Sequence, residues 1–215
     1  FCIYDDEACC DAAKQEIIRR FLLAQVDFKK GVIDQSSFER AKLLMDEVGL
    51  KATDRRVVQP ALDYLEYKRS LDPKYENVIV MALELPDGRM VTGRSSRRMV
   101  AGAALILNAV KTLLDLPDEL LLISPEILKT IQHLKKDILG REKATLNLEE
   151  VLSALTISAS VNPMAYMAVE KLPQLAGCRA HCTAILSDSD SQIFHDLKID
   201  ATCEPEFSSN NLYQG

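Results

Sequence analysis

From residue 5 to about residue 70, apolar positions recur every three or four, the spacing of one helix face. The line Cys9, Ala13, Ile17, Phe21, Ala24 and Phe28 predicts a first helix, capped by Asp5 or Asp6 and stopped at Gly31. Lys29 and Lys30 sit in its last turn, where cations suit the helix dipole. Asp34 opens a second helix, with Phe38, Ala41, Met45 and Val48 on one face and Gly49 as its stop. Thr53 opens a third, carrying Val58, Ala61, Leu62 and Leu65, and Pro60 is expected to kink it. Ser70–Glu76, with Asp72-Pro73, reads as a linker.

At Asn77 the period changes. Val78–Leu85 is a strand-like run, Pro86-Asp87-Gly88 a turn, and Arg89–Thr92 the returning strand, ended by Gly93. Ser95 or Ser96 is expected to cap a helix running to about Leu114. Within it, Ala101–Val110 has one polar residue, Asn108, so it needs cover on more than one side. Leu120–Ile123 reads as a central strand, and Ser124-Pro125 as the start of a helix running to Leu139 before Gly140. Asn147 with Glu150 forms a capping-box pattern, and Asn162-Pro163 starts another helix. A strand at Ala180–Leu186, a helix capped by Ser187 or Asp188 and a strand near Ala201–Glu204 complete the order. The expected architecture is α/β: three layers around an about five-stranded mixed sheet. Residues 1–72 are assigned to a helical subdomain, 77–207 to the α/β domain and 208–215 to a polar tail.

Composition narrows the partners. With 215 residues, 47% of them apolar, the chain can bury a sizeable core. A net charge of -6 provides no general basic field for nucleic acid or an anionic membrane, so neither is an expected partner. No apolar run approaches the roughly 18 residues of a membrane span. The 6 cysteines show no disulfide-framework spacing, which points to reduced thiols and a cytoplasmic setting.

The order hairpin, helix, strand, Ser-Pro helix start, strand, helix, strand resembles the cytidine-deaminase fold. That fold carries a His-or-Cys/Ala/Glu motif on the helix after the hairpin and a Pro-Cys-x-x-Cys motif opening the next, so that three ligands converge on zinc. Here Arg94–Leu114 contains no His, Cys or Glu, and Ser124-Pro125-Glu126 with Lys129 places an acid and an amine where cysteines would stand. The resemblance therefore implies the frame without the metal, and no cofactor is expected.

A second set of segments is more specific. Phe1-Cys2-Ile3 with Asp5-Asp6-Glu7, Leu83 through Arg89, Thr92-Gly93, Leu122 through Glu126, Asp137 through Gly140, Asn162-Pro163, Gly177-Cys178, Ala180-His181, Ile185-Leu186-Ser187 and Thr202 through Pro205 together resemble the C-terminal half of an uncharacterised bacterial family, domain of unknown function number eighteen forty-six. Its members resemble larger proteins, whose other half carries a glycine-rich, phosphate-loop-like stretch that does not occur here. The resemblance brings no activity, and it implies a bacterial cytosolic protein with that N-terminal half as a partner.

Several polar groups are candidates. Ser124 and Glu126 stand at the expected strand end and helix start, where anions bind; the plain alternative is a cap and a dipole-matched acid. Arg94, Ser95 and Ser96, followed by Arg97 and Arg98, suit a phosphate or carboxylate, or form a solvated loop. Asn162 is a further ligand-binding candidate that doubles as a helix cap. Cys178, His181 and Cys182 lack a usual zinc spacing, and His181 and Cys182 should point to opposite sheet faces. The resemblance puts serine at the place of Cys182. Glu126 and His181 are the catalytic candidates, and no metal ligands are assigned. The chain is thus expected to be an α/β module that binds an anionic small molecule without metal, or contacts its N-terminal half or further copies of itself as a homo-oligomer. The alternative is a metal-free enzyme for a nucleotide-like or phosphorylated molecule, with Ser124, Glu126, His181 and the Arg94–Arg98 loop around one pocket.

Overall fold

A hairpin starts the sheet. In the computed structural model, which describes residues 5–208, β1 (Val80–Glu84) and β2 (Met90–Arg94) pair antiparallel. At the connecting turn Gly88 takes φ +84°, a left-handed conformation that glycine adopts without strain, and the Asp87 carboxylate accepts from the Arg89 N–H at 3.0 Å. β1 pairs antiparallel on its other side with β3 (Arg179–Cys182), and β3 pairs parallel with β4 (Asp200–Cys203). Among the described residues the sheet is four-stranded and mixed, in the order β2-β1-β3-β4. Phe1-Cys2-Ile3 and the expected tail beyond residue 208 lie outside those residues.

The fifth strand expected at Leu120–Ile123 is not formed. Leu120 N–H closes a turn onto Pro117 O, and the carbonyls of Leu121 and Leu122 accept from the Asn162 side chain. Leu122 and Ile123 are buried as a loop packed on the core, while Leu121 is exposed. A short apolar run reports burial, and burial alone does not require strand pairing.

Alternation along the strands gives the sheet two different faces. Met81, Leu83, Val91, Ala180 and Cys182 join the main core with α4 (Ala101–Leu113), α6 (Leu148–Ala159), α7 (Pro163–Lys171) and α8 (Asp188–Asp196). On α4, Ala101, Ala103, Leu105, Ile106, Ala109 and Val110 are all buried, so this helix is covered on several sides as its composition requires. It lies directly on Gly93, where an added Cβ would stand 2.3 Å from the Leu105 nitrogen. α5 (Pro125–His133) borders the same core through Leu128 and continues as a π-turn over Leu134–Ile138.

The other sheet face, with Val80, Ala82, His181 and Thr202, is covered by α3 (Val58–Leu71), and α1 (Asp6–Lys29) packs beside β4. α2 (Gln35–Val48) pairs with α1, and Ile18, Leu22, Met45 and Val58 form a small second core. The Asp5 and Asp34 caps and the left-handed Gly49 stop are as expected. The buried line of α1 is shifted by one residue, to Ile18 and Leu22 with Gln15, because neighbours on two sides set which stripe is covered. α3 begins at Val58 after a 3-10 turn at Ala52–Asp54. Pro60 therefore falls in the first turn, where its missing N–H has no helical acceptor to lose, and no kink is needed. Arg55, fully enclosed, ties this layer to β4 by donating to Asp200 O at 3.0 Å and to the Asp200 carboxylate at 2.8 Å.

Candidate functional site

β3 and β4 end at one edge of the sheet, where β1 begins and β2 ends. That edge also receives the N-termini of α4, α6 and α8, around a cavity of about 340 Å³ walled by Ile79, Val100, Gly102, Asn147, Cys182, Ser187 and Asp190. α6 and α8 are capped by the side chains of Asn147 and Ser187. Buried Asp190 also accepts from the Leu148 N–H at 2.9 Å, joining the starts of α8 and α6. α4 differs. Its cap position is Val100, which has no side-chain oxygen, and among the described residues no side chain caps the N–H groups of Ala101, Gly102 and Ala103.

The expected cap from Ser95 or Ser96 does not occur, because both hydroxyls are used earlier in the chain. Ser95 Oγ accepts from Ile79 N–H at 2.9 Å, and Ser96 Oγ accepts from the N–H groups of Arg98 and Met99. Leu146 then pairs with this segment, accepting from Val100 N–H and donating to Arg98 O, so α4 starts only at Ala101.

A second depression, about 360 Å³, adjoins the first around the 95–100 loop and contains Lys74, Tyr75, Arg94, Ser95, Ser96 and Arg97. Lys74 and Arg94 both lie against the Tyr75 ring, at 4.9 Å and 5.1 Å from its centroid. Asp72 pairs with Lys74 at 2.9 Å, which raises the ammonium pKa. Among the described residues Arg94 has no carboxylate partner, and its one hydrogen bond runs to the Ser95 carbonyl. Of the expected cations and hydroxyls, Arg94, Ser95, Ser96 and Arg97 line this depression and Arg98 does not, and Lys74 and Tyr75 join them from a segment that reads only as a linker.

A third depression, about 740 Å³, shares Ile79 with the first and Val78 with the second. Its wall includes Glu204, whose carboxylate meets His181 Nε2 at 3.1 Å. His181 is fully buried, and its Nδ1 lies 2.9 Å from Thr202 Oγ1. Thr202 is also within reach of the Ala180 carbonyl at 3.3 Å, so its hydroxyl can turn to donate to the imidazole or accept from it. Cys182 is on the opposite face from His181, as strand alternation predicts.

The remaining candidates lie elsewhere. Ser124 caps α5, and Glu126 in its first turn has a lowered pKa from its own backbone N–H and the Ser124 hydroxyl. Asn162 caps α7 and holds the Leu121 and Leu122 carbonyls beside Ser124. Gln132 reaches the Arg97 carbonyl, and Ser124 stands eight residues, about 12 Å along α5, from Gln132. His181 faces α3, whereas α5 packs with the core on the α4 side, so the sheet separates His181 from Glu126. The single pocket around Ser124, Glu126, His181 and Arg94–Arg98 is not formed. Among the described residues, no group of three or more His, Cys, Asp or Glu gathers as a metal site. No described helix is long and apolar enough to cross a membrane.

Sequence reasoning identified Asn147 and Ser187 as caps but missed their convergence with Val100–Ala103 and Asp190. The available signal was the Ser-x-x-Asp spacing at Ser187 and Asp190 directly after a strand, a helix start at the end of a strand.

Comparison with known proteins gives matches to both parts of one family, meeting between residues 49 and 53. Residues 53–213 match the family model described as "Domain of unknown function DUF1846, C-terminal", and residues 1–49 match "Domain of unknown function DUF1846, N-terminal". A UPF0371 protein of Clostridium botulinum, strain Langeland, is 50% identical over 213 residues. Those of strain 657, Type Ba4, and strain Eklund 17B, Type B, are 49% and 48% identical. Each alignment covers 99% of this chain and 42% of the relative, so the chain spans less than half the length of these proteins.

Proposed function

Since the chain belongs to the DUF1846 family, whose function is unknown, we propose from its geometry that it is the ligand-binding part of a larger protein, with an anionic small molecule as ligand. The site is the strand-end edge. The observation that carries this reading is the uncapped start of α4, opening into a cavity at the C-terminal ends of the two parallel strands. In α/β sheets ligands collect at that edge, and free backbone N–H groups there favour negative charge. Lys74, Arg94 and Arg97 beside it would hold an anionic group, while the apolar and hydroxyl-lined cavity takes a compact uncharged part. A nucleotide-like or phosphorylated molecule has that division.

The frame is of the cytidine-deaminase kind in this reading. β1 runs antiparallel to both neighbours, and a helix follows the hairpin. The counterpart of the second motif is then the start of α8, Ser187 to Asp190, because α8 follows a paired strand and α5 does not. Serines and acids at that start leave the site to organic recognition. α1 and α2, which match the N-terminal family model, are the side on which the rest of the larger protein would continue.

A thermal-shift panel of inorganic phosphate, nucleoside monophosphates and diphosphates, and sugar phosphates tests the reading, with Arg94→Gln in parallel. Stabilisation of the unsubstituted chain that weakens in the variant supports it. Equal responses in both, or none at millimolar ligand, reject it.

A second reading, a metal-free enzyme, is favoured by the Glu204–His181–Thr202 chain at the wall of the adjoining depression. There Glu204 would move a proton, with His181 as its positioning partner. Glu204→Gln should abolish turnover of any phosphorylated ligand that the panel identifies, and unchanged turnover would reject the role.

A further inference from the structure

We propose that Cys182 and Cys203 form a hydroperoxide-sensitive dithiol that closes into a disulfide between β3 and β4. The inference is independent of the ligand reading and rests on register. Cys182 and Cys203 are directly opposed across the parallel pair, and opposed residues on neighbouring strands project from the same face. Neighbouring strands lie about 4.8 Å apart. That is inside the Cα separation of roughly 4.4–6.8 Å that a disulfide tolerates. The alternation that brings these two thiols together sends His181 and Thr202 to the other face, so neither ring nor hydroxyl stands between the sulfurs.

The two thiols are not equivalent. Cys182 is buried and lines the 340 Å³ cavity, while Cys203 is half-buried near the sheet edge. The neighbouring Cys182 thiol holds the Cys203 pKa down, helped by the Leu186 N–H and the Lys30 ammonium and opposed by burial. The neighbouring Cys203 sulfur, with burial, pushes Cys182 well up. Cys203, the more exposed of the two, is therefore the sulfur placed to attack, and enclosed Cys182 the thiol that resolves. In the first step Cys203 sulfur attacks a peroxide oxygen, the O–O bond breaks and the leaving oxygen takes a proton, giving a sulfenic acid and an alcohol or water. In the second step Cys182 sulfur displaces hydroxide from that sulfenic sulfur, its proton leaves with the hydroxide as water, and the S–S bond forms. The peroxide is reduced by two electrons and the thiol pair is oxidised by two.

The test is peptide mapping after substoichiometric hydrogen peroxide, denaturing quench with N-ethylmaleimide and tryptic digestion. Lys198 separates the two cysteines into different peptides. The expected result is a linked Cys182–Cys203 pair appearing before exposed Cys9 or Cys10 lose maleimide labelling, and disappearing with dithiothreitol. Cys182→Ser should stop at a dimedone-reactive sulfenic acid on Cys203, and Cys203→Ser should leave Cys182 fully labelled. The proposal is overturned if Cys9 or Cys10 oxidise while Cys182 and Cys203 stay labelled. Passage of Cys203 to the sulfinic acid without linkage in the unsubstituted chain would also overturn it. The unsubstituted protein alone decides the question should either variant fail to fold.

Discussion

Gly93→Ala probes the contact that places α4, and with it the wall of the proposed site. A Cβ on residue 93 would stand 2.3 Å from Leu105 N, 2.6 Å from Leu105 Cα and 2.9 Å from Ala101 O, all backbone atoms of one helix. No side chain can swing aside to relieve this. Ordinary contact begins near 3.4 Å, so α4 must retreat by roughly 1 Å, and a gap of that width forfeits a quarter to a half of the dispersion at the surfaces it opens. Leu105, Ile106 and Ala109 withdraw with the helix from the core they fill. Overpacking of a close-packed core costs about 1–3 kcal/mol. The upper end is expected here, because the obstacle is backbone. For a domain of this size about 3 kcal/mol is a fall of roughly 6–12 °C in Tm. Urea unfolding followed by far-ultraviolet circular dichroism should show a lower midpoint at unchanged slope. Gly88→Ala is the comparison: its φ of +84° imposes strain but nothing lies within 4 Å, so about 1–2 kcal/mol is expected. A Gly93→Ala protein within about 0.5 kcal/mol of the parent, inside the range of an ordinary surface change, would refute the reasoning. So would one more stable than Gly88→Ala.

Three further outcomes follow from the same structure. Asp190→Ala leaves the buried Leu148 N–H without its acceptor and should cost about 1–3 kcal/mol, whereas Asp190→Asn keeps an oxygen in place and most of the stability; equal losses in urea would contradict this. Arg55→Ala empties a fully buried site and cuts the tie to Asp200, for about 2–4 kcal/mol by denaturant midpoint, and a loss below 1 kcal/mol would mean that the site refills with water at little cost. Glu16 is held at about 2, against an ordinary 4.5, by hydrogen bonds first from Arg19 and then from Arg20. Because the folded value is depressed, its contribution is fully present above 4.5 and is lost as pH falls through about 2. Carboxyl carbon shifts should titrate there, and a midpoint near 4.5 would show the pair to be absent in solution.

Most of the secondary structure was legible because local chemistry fixed it. Asp5, Asp34, Ser124, Asn147, Asn162 and Ser187 each cap the helix that their side chains predict, and the Pro86-Asp87-Gly88 turn pairs the strands on either side. What failed depended on long-range competition. Leu120–Ile123 has a buried strand's composition, but Asn162, some forty residues away, takes two of its carbonyls. Ser95 would cap a helix in isolation, yet its hydroxyl is used by the N–H of Ile79, just before β1. The cationic loop at Arg94–Arg97 could be located from its residues, whereas its approach to Lys74 and Tyr75 is a tertiary fact. The α4–α6–α8 cavity was hidden for the same reason: helix starts separated by forty residues or more carry no mark of meeting.

Amide chemical-shift mapping, with a nucleoside diphosphate titrated into isotope-labelled protein, bears most directly on the strand-end site. Saturable shifts are predicted at Ala101–Ala103, at Ser187–Asp190 and at Arg94–Arg97, with Ser124–Glu126 unmoved. Shifts confined to Ser124–Glu126 or to the α1–α2 hairpin, or none at millimolar ligand, would contradict the account.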